Sequence, residues 1–192
     1  MSRFILAVAL VTLMSCAHPR RVSRRSVRRL AKEHKPFVLV FGSLSTTTPE
    51  VAHPVIRFVH QTTRSAPEYL LWSLTISSGD RFYAVLQAPP QLANLDEFYA
   101  EVGDGSSSFD RIDYVRLRKG EAPLAMYVGE IRVSPARNRS AQGEKIAVNV
   151  GDDFESAAKE LKRLYPDFEG PVVKTPLLRN PRRQAAPPER VR

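Results

Sequence analysis

Few side chains in these 192 residues combine a reactive type with a useful spacing. Cys16 is the one cysteine, so neither a disulfide framework nor a paired-cysteine zinc site can be built from it. His53 and His60 bracket an apolar stretch. Seven positions apart, they fall on opposite faces of any strand running through both, which reads as two ordinary polar histidines and not as shared metal ligands. Asp104, Ser106, Ser108 and Asp110 alternate like an oxygen-rich cation loop. An EF-hand loop, however, needs Gly at its sixth place and Glu at its twelfth, where this chain has Phe109 and Val115. Asp96, Glu97 and Glu101 read as solvated surface carboxylates. Tyr69, Trp72, Phe82, Tyr83 and Tyr99 have the chemistry of a sugar platform, yet Trp72 and Phe82 sit on alternating apolar faces that belong to a core; Tyr83 points the other way. The chain has no nucleophile elbow, no H-E-x-x-H, no phosphate-binding loop and no dinucleotide glycine pattern. These absences leave no catalytic residue, metal or cofactor to name, and no ligand-binding residue. The alternatives are a hydrolase assembled in the fold from His53, His60, Asp104 and Asp110, or a carrier with a cavity between sheets.

The most informative stretch is the beginning. Arg3 precedes an uncharged run at 4–14, eleven residues long and apolar except for Thr12. As a helix it spans about 16 Å, roughly half of a bilayer core, so it matches the apolar segment of a secretory signal and not a membrane span. Leu13-Met14-Ser15-Cys16 ends the run with a large aliphatic residue, a small residue and then the cysteine. This motif resembles the lipobox of bacterial lipoproteins. The resemblance covers the first sixteen residues. It implies cleavage after residue 15, lipidation of the Cys16 thiol and acylation of the new amino terminus. Ala17 then implies delivery to the outer membrane, since an Asp at that place favours retention in the inner membrane. Two or three acyl chains hold a protein stably where one does so only marginally.

The net charge of +9 is unevenly spread. Residues 17–35 hold eight Lys/Arg and one Glu, residues 36–170 fourteen Lys/Arg and eighteen Asp/Glu, and residues 171–192 six Lys/Arg and one Glu. The body is mildly acidic and both ends are basic, which argues against a nucleic-acid partner. The basic ends suit anionic lipid or wall polymer. Residues 16–35 read as a lipidated cysteine followed by a linker kept extended by charge repulsion.

Positioning elements start at Pro36. Strands are expected over 37–41, 55–63, 69–77, 81–88, 112–118, 124–133 and 145–150. Leu70, Trp72, Leu74 and Ile76 share one face of the third. The turn residues 77–80 predict a hairpin between the third and fourth. Leu92, Leu95 and Phe98 are spaced like a short helix. Gly129 suggests a bulge or close approach. Acidic residues at 152–153 open an amphipathic helix at 154–165, ended by Pro166. Val172 and Val173 suit a short terminal strand. The pattern predicts a mainly β fold: an antiparallel β-sandwich of about seven strands over 36–178 with one C-terminal helix, then a disordered basic tail at 179–192.

Overall fold

In a computed structural model the described residues are 21–47, 53–60, 69–75, 80–88, 97–103, 109–116, 123–135 and 146–177, with backbone alone at 69, 80, 97 and 109–116. Two helices and nine strands lie in them. In chain order these are α1 (Arg24–Lys32), β1 (Val38–Thr46), β2 (Val55–His60), β3 (Tyr69–Thr75), β4 (Asp80–Leu86), β5 (Glu97–Gly103), β6 (Phe109–Arg116), β7 (Leu124–Pro135), β8 (Ile146–Gly151), α2 (Phe154–Leu164) and β9 (Val172–Lys174).

The strands form two sheets. The first has the order β4-β1-β7-β8, with β9 also on β7; the second has the order β3-β2-β5-β6. The second is antiparallel throughout, whereas the first also holds two parallel pairs, β1 with β7 and β7 with β9. The fold is therefore mainly β, with the amphipathic helix placed late in the chain as its periodicity predicts. The short terminal strand expected at Val172 and Val173 forms as β9. One strand departs from the expectation: β5, whose Phe98 faces the core with Ala100 and Val102 instead of belonging to a helix.

The expected hairpin between β3 and β4 does not form: β3 pairs with β2, and β4 pairs with β1 in the other sheet. Alternation fixes which face of a strand is apolar, not which neighbour it bonds. Here the apolar faces of the two strands meet across the sandwich, with the Trp72 and Phe82 rings 5.4 Å apart. Phe58 stands between them and Phe98, with ring distances of 5.8, 6.2 and 6.0 Å to Trp72, Phe82 and Phe98.

Bulges set the parity. Along β7, Leu124, Met126 and Val128 point into the sandwich, but so do Ile131 and Val133. Simple alternation would turn the last two outward. The register shift opposite Phe41 and Ser43 inserts one extra residue, and Gly129 supplies the required backbone at φ 108°. A Cβ there would stand 2.4 Å from a Val150 methyl. A second shift, between Phe58 and Val59 of β2, rotates the start of β3. Leu71 then packs on the core and Leu70 is left 56% exposed, the reverse of the expected facing.

The outer face of the first sheet is covered by both helices. Leu39, Phe41, Tyr83, Ala125 and Tyr127 of the sheet meet Val27 and Leu30 of α1 and Ala157 and Leu161 of α2. Helix α1 corrects the extended conformation expected for the basic stretch. Ser23 caps its first turn by accepting from the Ser26 N–H at 3.0 Å. At the far end His34 adopts φ 51°, and the Lys35 and His34 N–H groups close back on the Leu30 and Ala31 carbonyls. Val27 and Leu30, three apart, make a narrow apolar stripe that is enough once a sheet is present to bury it. Among the described residues no helix is long and apolar enough to cross a membrane.

Candidate functional site

Among the described residues, those singled out by type form no single cluster. Cys16, Asp96, Asp104, Ser106 and Ser108 lie outside the described residues. His53 is exposed and precedes β2 instead of sharing it, while His60 ends β2 almost fully buried at 1% exposure. Asp110 stands opposite Val102, which stands opposite Ile56. That places the Asp110 and His60 backbones two strands apart and four residues apart along the strand, roughly 10 Å by 13 Å. The hydrolase pairing is thus not brought together there. Among the described residues no group of three or more His, Cys, Asp or Glu could hold a metal.

The aromatic residues divide in the same way. Trp72 and Phe82 are core, as their alternation implies, and Tyr99 is fully buried on β5. Tyr83, which faces away from that core, is itself 1% exposed because helices cover it. Tyr83 and Tyr99 therefore present no open platform. Glu101 of β5 lies in register between Arg57 of β2 and Arg111 of β6, a row of alternating charge across the second sheet.

The densest polar constellation is one that residue typing missed. It joins the segment before α1 to β4 and α2. Glu160 lies 3.3 Å from Arg21, 3.3 Å from Arg81 and 3.9 Å from Arg163. Arg81 also binds the Asp153 carboxylate and donates to the Ser156 hydroxyl at 2.8 Å. Asp153, the residue before α2, is thereby drawn off its usual capping duty; Asp152 Oδ1 accepts from the Phe154 N–H at 3.2 Å instead. The Tyr127 hydroxyl accepts from the Asp153 N–H at 2.7 Å.

Two tyrosines lie beneath these charges. The Tyr165 hydroxyl donates to the Val22 carbonyl at 2.8 Å, and the Val22 N–H donates to the Tyr83 carbonyl at 2.9 Å. The Tyr83 and Tyr165 rings are 5.7 Å apart, and the Arg21 guanidinium lies 5.9 Å above the Tyr83 ring. Burial first, then the nearby Glu160 charge, pushes the Tyr83 phenol up to about 12. Burial, then Tyr83, pushes Tyr165 up to about 12. Both remain neutral at physiological pH, so they serve as buried hydrogen-bonding and packing groups and supply neither a nucleophile nor a base. The Tyr83 hydroxyl is buried without a hydrogen bond of ordinary geometry, although Glu160 is close enough to raise its pKa.

A second clamp holds α1. Arg24 and Arg28 both reach Asp167, at 2.8 and 2.7 Å, and the two guanidinium groups lower the Asp167 pKa. Two arginines, Arg24 and Arg25, sit in the first turn of α1, where the helix dipole disfavours positive charge. Asp167 offsets part of that cost. The sequence carries a signal for this clamp only in retrospect: an acidic residue just past Pro166, with arginines four apart in a stretch 139 and 143 positions earlier. Chemically, the whole arrangement binds one part of the chain to another.

Compared with known protein families, curated proteins and solved structures, the chain matches none.

Proposed function

We propose that this chain is a lipid-anchored lipoprotein of the bacterial cell envelope, whose β-sandwich domain has a structural or binding role and no catalysis of its own. The carrying observation is Leu13-Met14-Ser15-Cys16 at the end of an eleven-residue apolar run, with Cys16 the one cysteine in the chain. A free thiol outside the cytoplasm needs a purpose, and acylation provides one. Ala17 directs the anchored protein to the outer membrane, facing the periplasm. A domain with two apolar clusters and no need of disulfides suits such a place. Its partners are the membrane, through the acyl chains on Cys16, and an envelope protein or wall component at the domain surface.

Metabolic labelling with a fatty acid tests the anchor. The wild-type chain should take up label and sediment with membranes, and Cys16→Ala should lose both. Equal membrane association of the two chains would refute the proposal. The absence of catalysis is tested separately: turnover of an ester, peptide or glycan by the purified protein, abolished by one polar substitution, would replace the binding role with an enzymatic one.

A further inference from the structure

The basic stretch of the sequence is two populations, and α1 separates them. Arg24 and Arg28 are engaged by Asp167, and Arg21 by Glu160. Arg25 and Lys32 meet no carboxylate among the described residues, and Arg29 approaches only Glu33, at 3.9 Å. At about 100° per residue, Arg25, Arg29 and Lys32 fall within roughly 60° of one another on the helix, and their centre lies about 160° from the Val27 and Leu30 face. These three cations therefore point away from the domain while the apolar stripe points into it. Helix α1 begins eight residues after Cys16, a reach of at most about 28 Å even when fully extended.

We infer that the Arg25, Arg29 and Lys32 face of α1 docks on the phosphate headgroups of an anionic bilayer, and so fixes the orientation of the domain on its membrane. The inference rests on the acyl anchor proposed above, which brings the helix within range. The charges complement the headgroups. The three side chains are exposed along one face of α1 and open to a partner that spans the whole row. Near such a surface each basic residue changes the partition by roughly fivefold, and three together by on the order of 100-fold, within about one Debye length. Because the opposite face of α1 is packed on the sheet, docking the helix docks the whole domain.

The test uses the full lipidated chain carrying Glu33→Cys, labelled with a fluorophore beside the basic face. Cys16 is blocked by its lipid. Vesicles of phosphatidylcholine alone are compared with vesicles that also contain phosphatidylglycerol, reading the accessibility of the label to a water-soluble quencher and co-flotation in the same samples. The expected result is several-fold shielding on the phosphatidylglycerol vesicles. It should disappear in Arg25→Gln/Arg29→Gln/Lys32→Gln, and disappear for the unaltered residues at high salt. Co-flotation should persist throughout, because the acyl chains still hold. Shielding that is equal on the two vesicle types, or that survives the triple substitution, would overturn the docking surface. Binding to purified wall polymer with no response to phosphatidylglycerol would overturn it as well and move the partner to the wall. If the chain fails to float with phosphatidylcholine vesicles, it is the anchor that has failed. Docking is then decided by flotation on the phosphatidylglycerol vesicles alone, where its absence would sink it.

Discussion

The two faces of the first sheet are built on different physics. Among the described residues, its inner face meets the second sheet in a cluster of twenty buried side chains, all of them aliphatic or aromatic and none ionisable. Its outer face meets the two helices through a smaller cluster that includes three tyrosines, rimmed by the Glu160 and Asp167 ion pairs. Apolar burial is indifferent to pH and strengthened by many salts, whereas partly exposed ion pairs are weakened by salt and lost in acid. The sandwich is thus the durable part, and the helical cover, α1 above all, is the part that conditions can loosen.

The largest expected effect lies on the inner face. Phe58→Ala removes the ring that touches Trp72, Phe82 and Phe98. It should cost about 3–5 kcal/mol of global stability, read from the denaturant midpoint. A loss well below that range would mean that the core is looser than its contacts suggest.

On the outer face, Leu30→Ala empties half of the α1 stripe and should weaken the docking of that helix by about 2 kcal/mol or more. Hydrogen exchange should rise across residues 24–32 with much less change in β1 and β7. A uniform rise over the whole molecule would break the distinction between the two faces.

The smallest effect sharpens the same contrast by pH. Asp167 has its pKa lowered in the folded state by Arg24 and Arg28, so its contribution is present above the unfolded carboxyl pKa, at roughly 3.9, and is lost as pH falls through the lower folded value. Acidification should therefore raise exchange in α1 before the sandwich opens, and Asp167→Asn should remove that pH step while leaving neutral-pH stability little changed, as surface ion pairs do. An α1 whose protection stays flat to acid would assign its docking to Val27 and Leu30 alone.

What the sequence made legible follows from the range of its signals. Alternation and helical periodicity correctly marked the core faces of β4 and α2, because burial of one face is a local demand. It misassigned Leu70 and joined β3 to β4, because a bulge and a choice of sheet are set by the partner strand and not by the strand itself. Gly129 could be flagged from its type alone, while the parity flip it allows needed the register with β1. Counted as charge, the arginines of α1 suggested a repelled, extended linker. The carboxylates that fold them in, Glu160 and Asp167, lie more than a hundred residues away, beyond any local pattern. The candidate site was illegible for the same reason: Arg21, Arg81, Asp153 and Glu160 carry no spacing that distinguishes them from a solvated surface.

The parallel pairing of β1 with β7 has a consequence for the order of assembly. Val38 must wait for Leu124 before its ladder can close, and Arg24 must wait for Asp167, 143 positions downstream. Contacts of such separation are late and slow to form. A chain that emerges amino terminus first therefore keeps its earliest strand unclosed on that side until nearly all of the domain has emerged, and α1 is among the last pieces to settle.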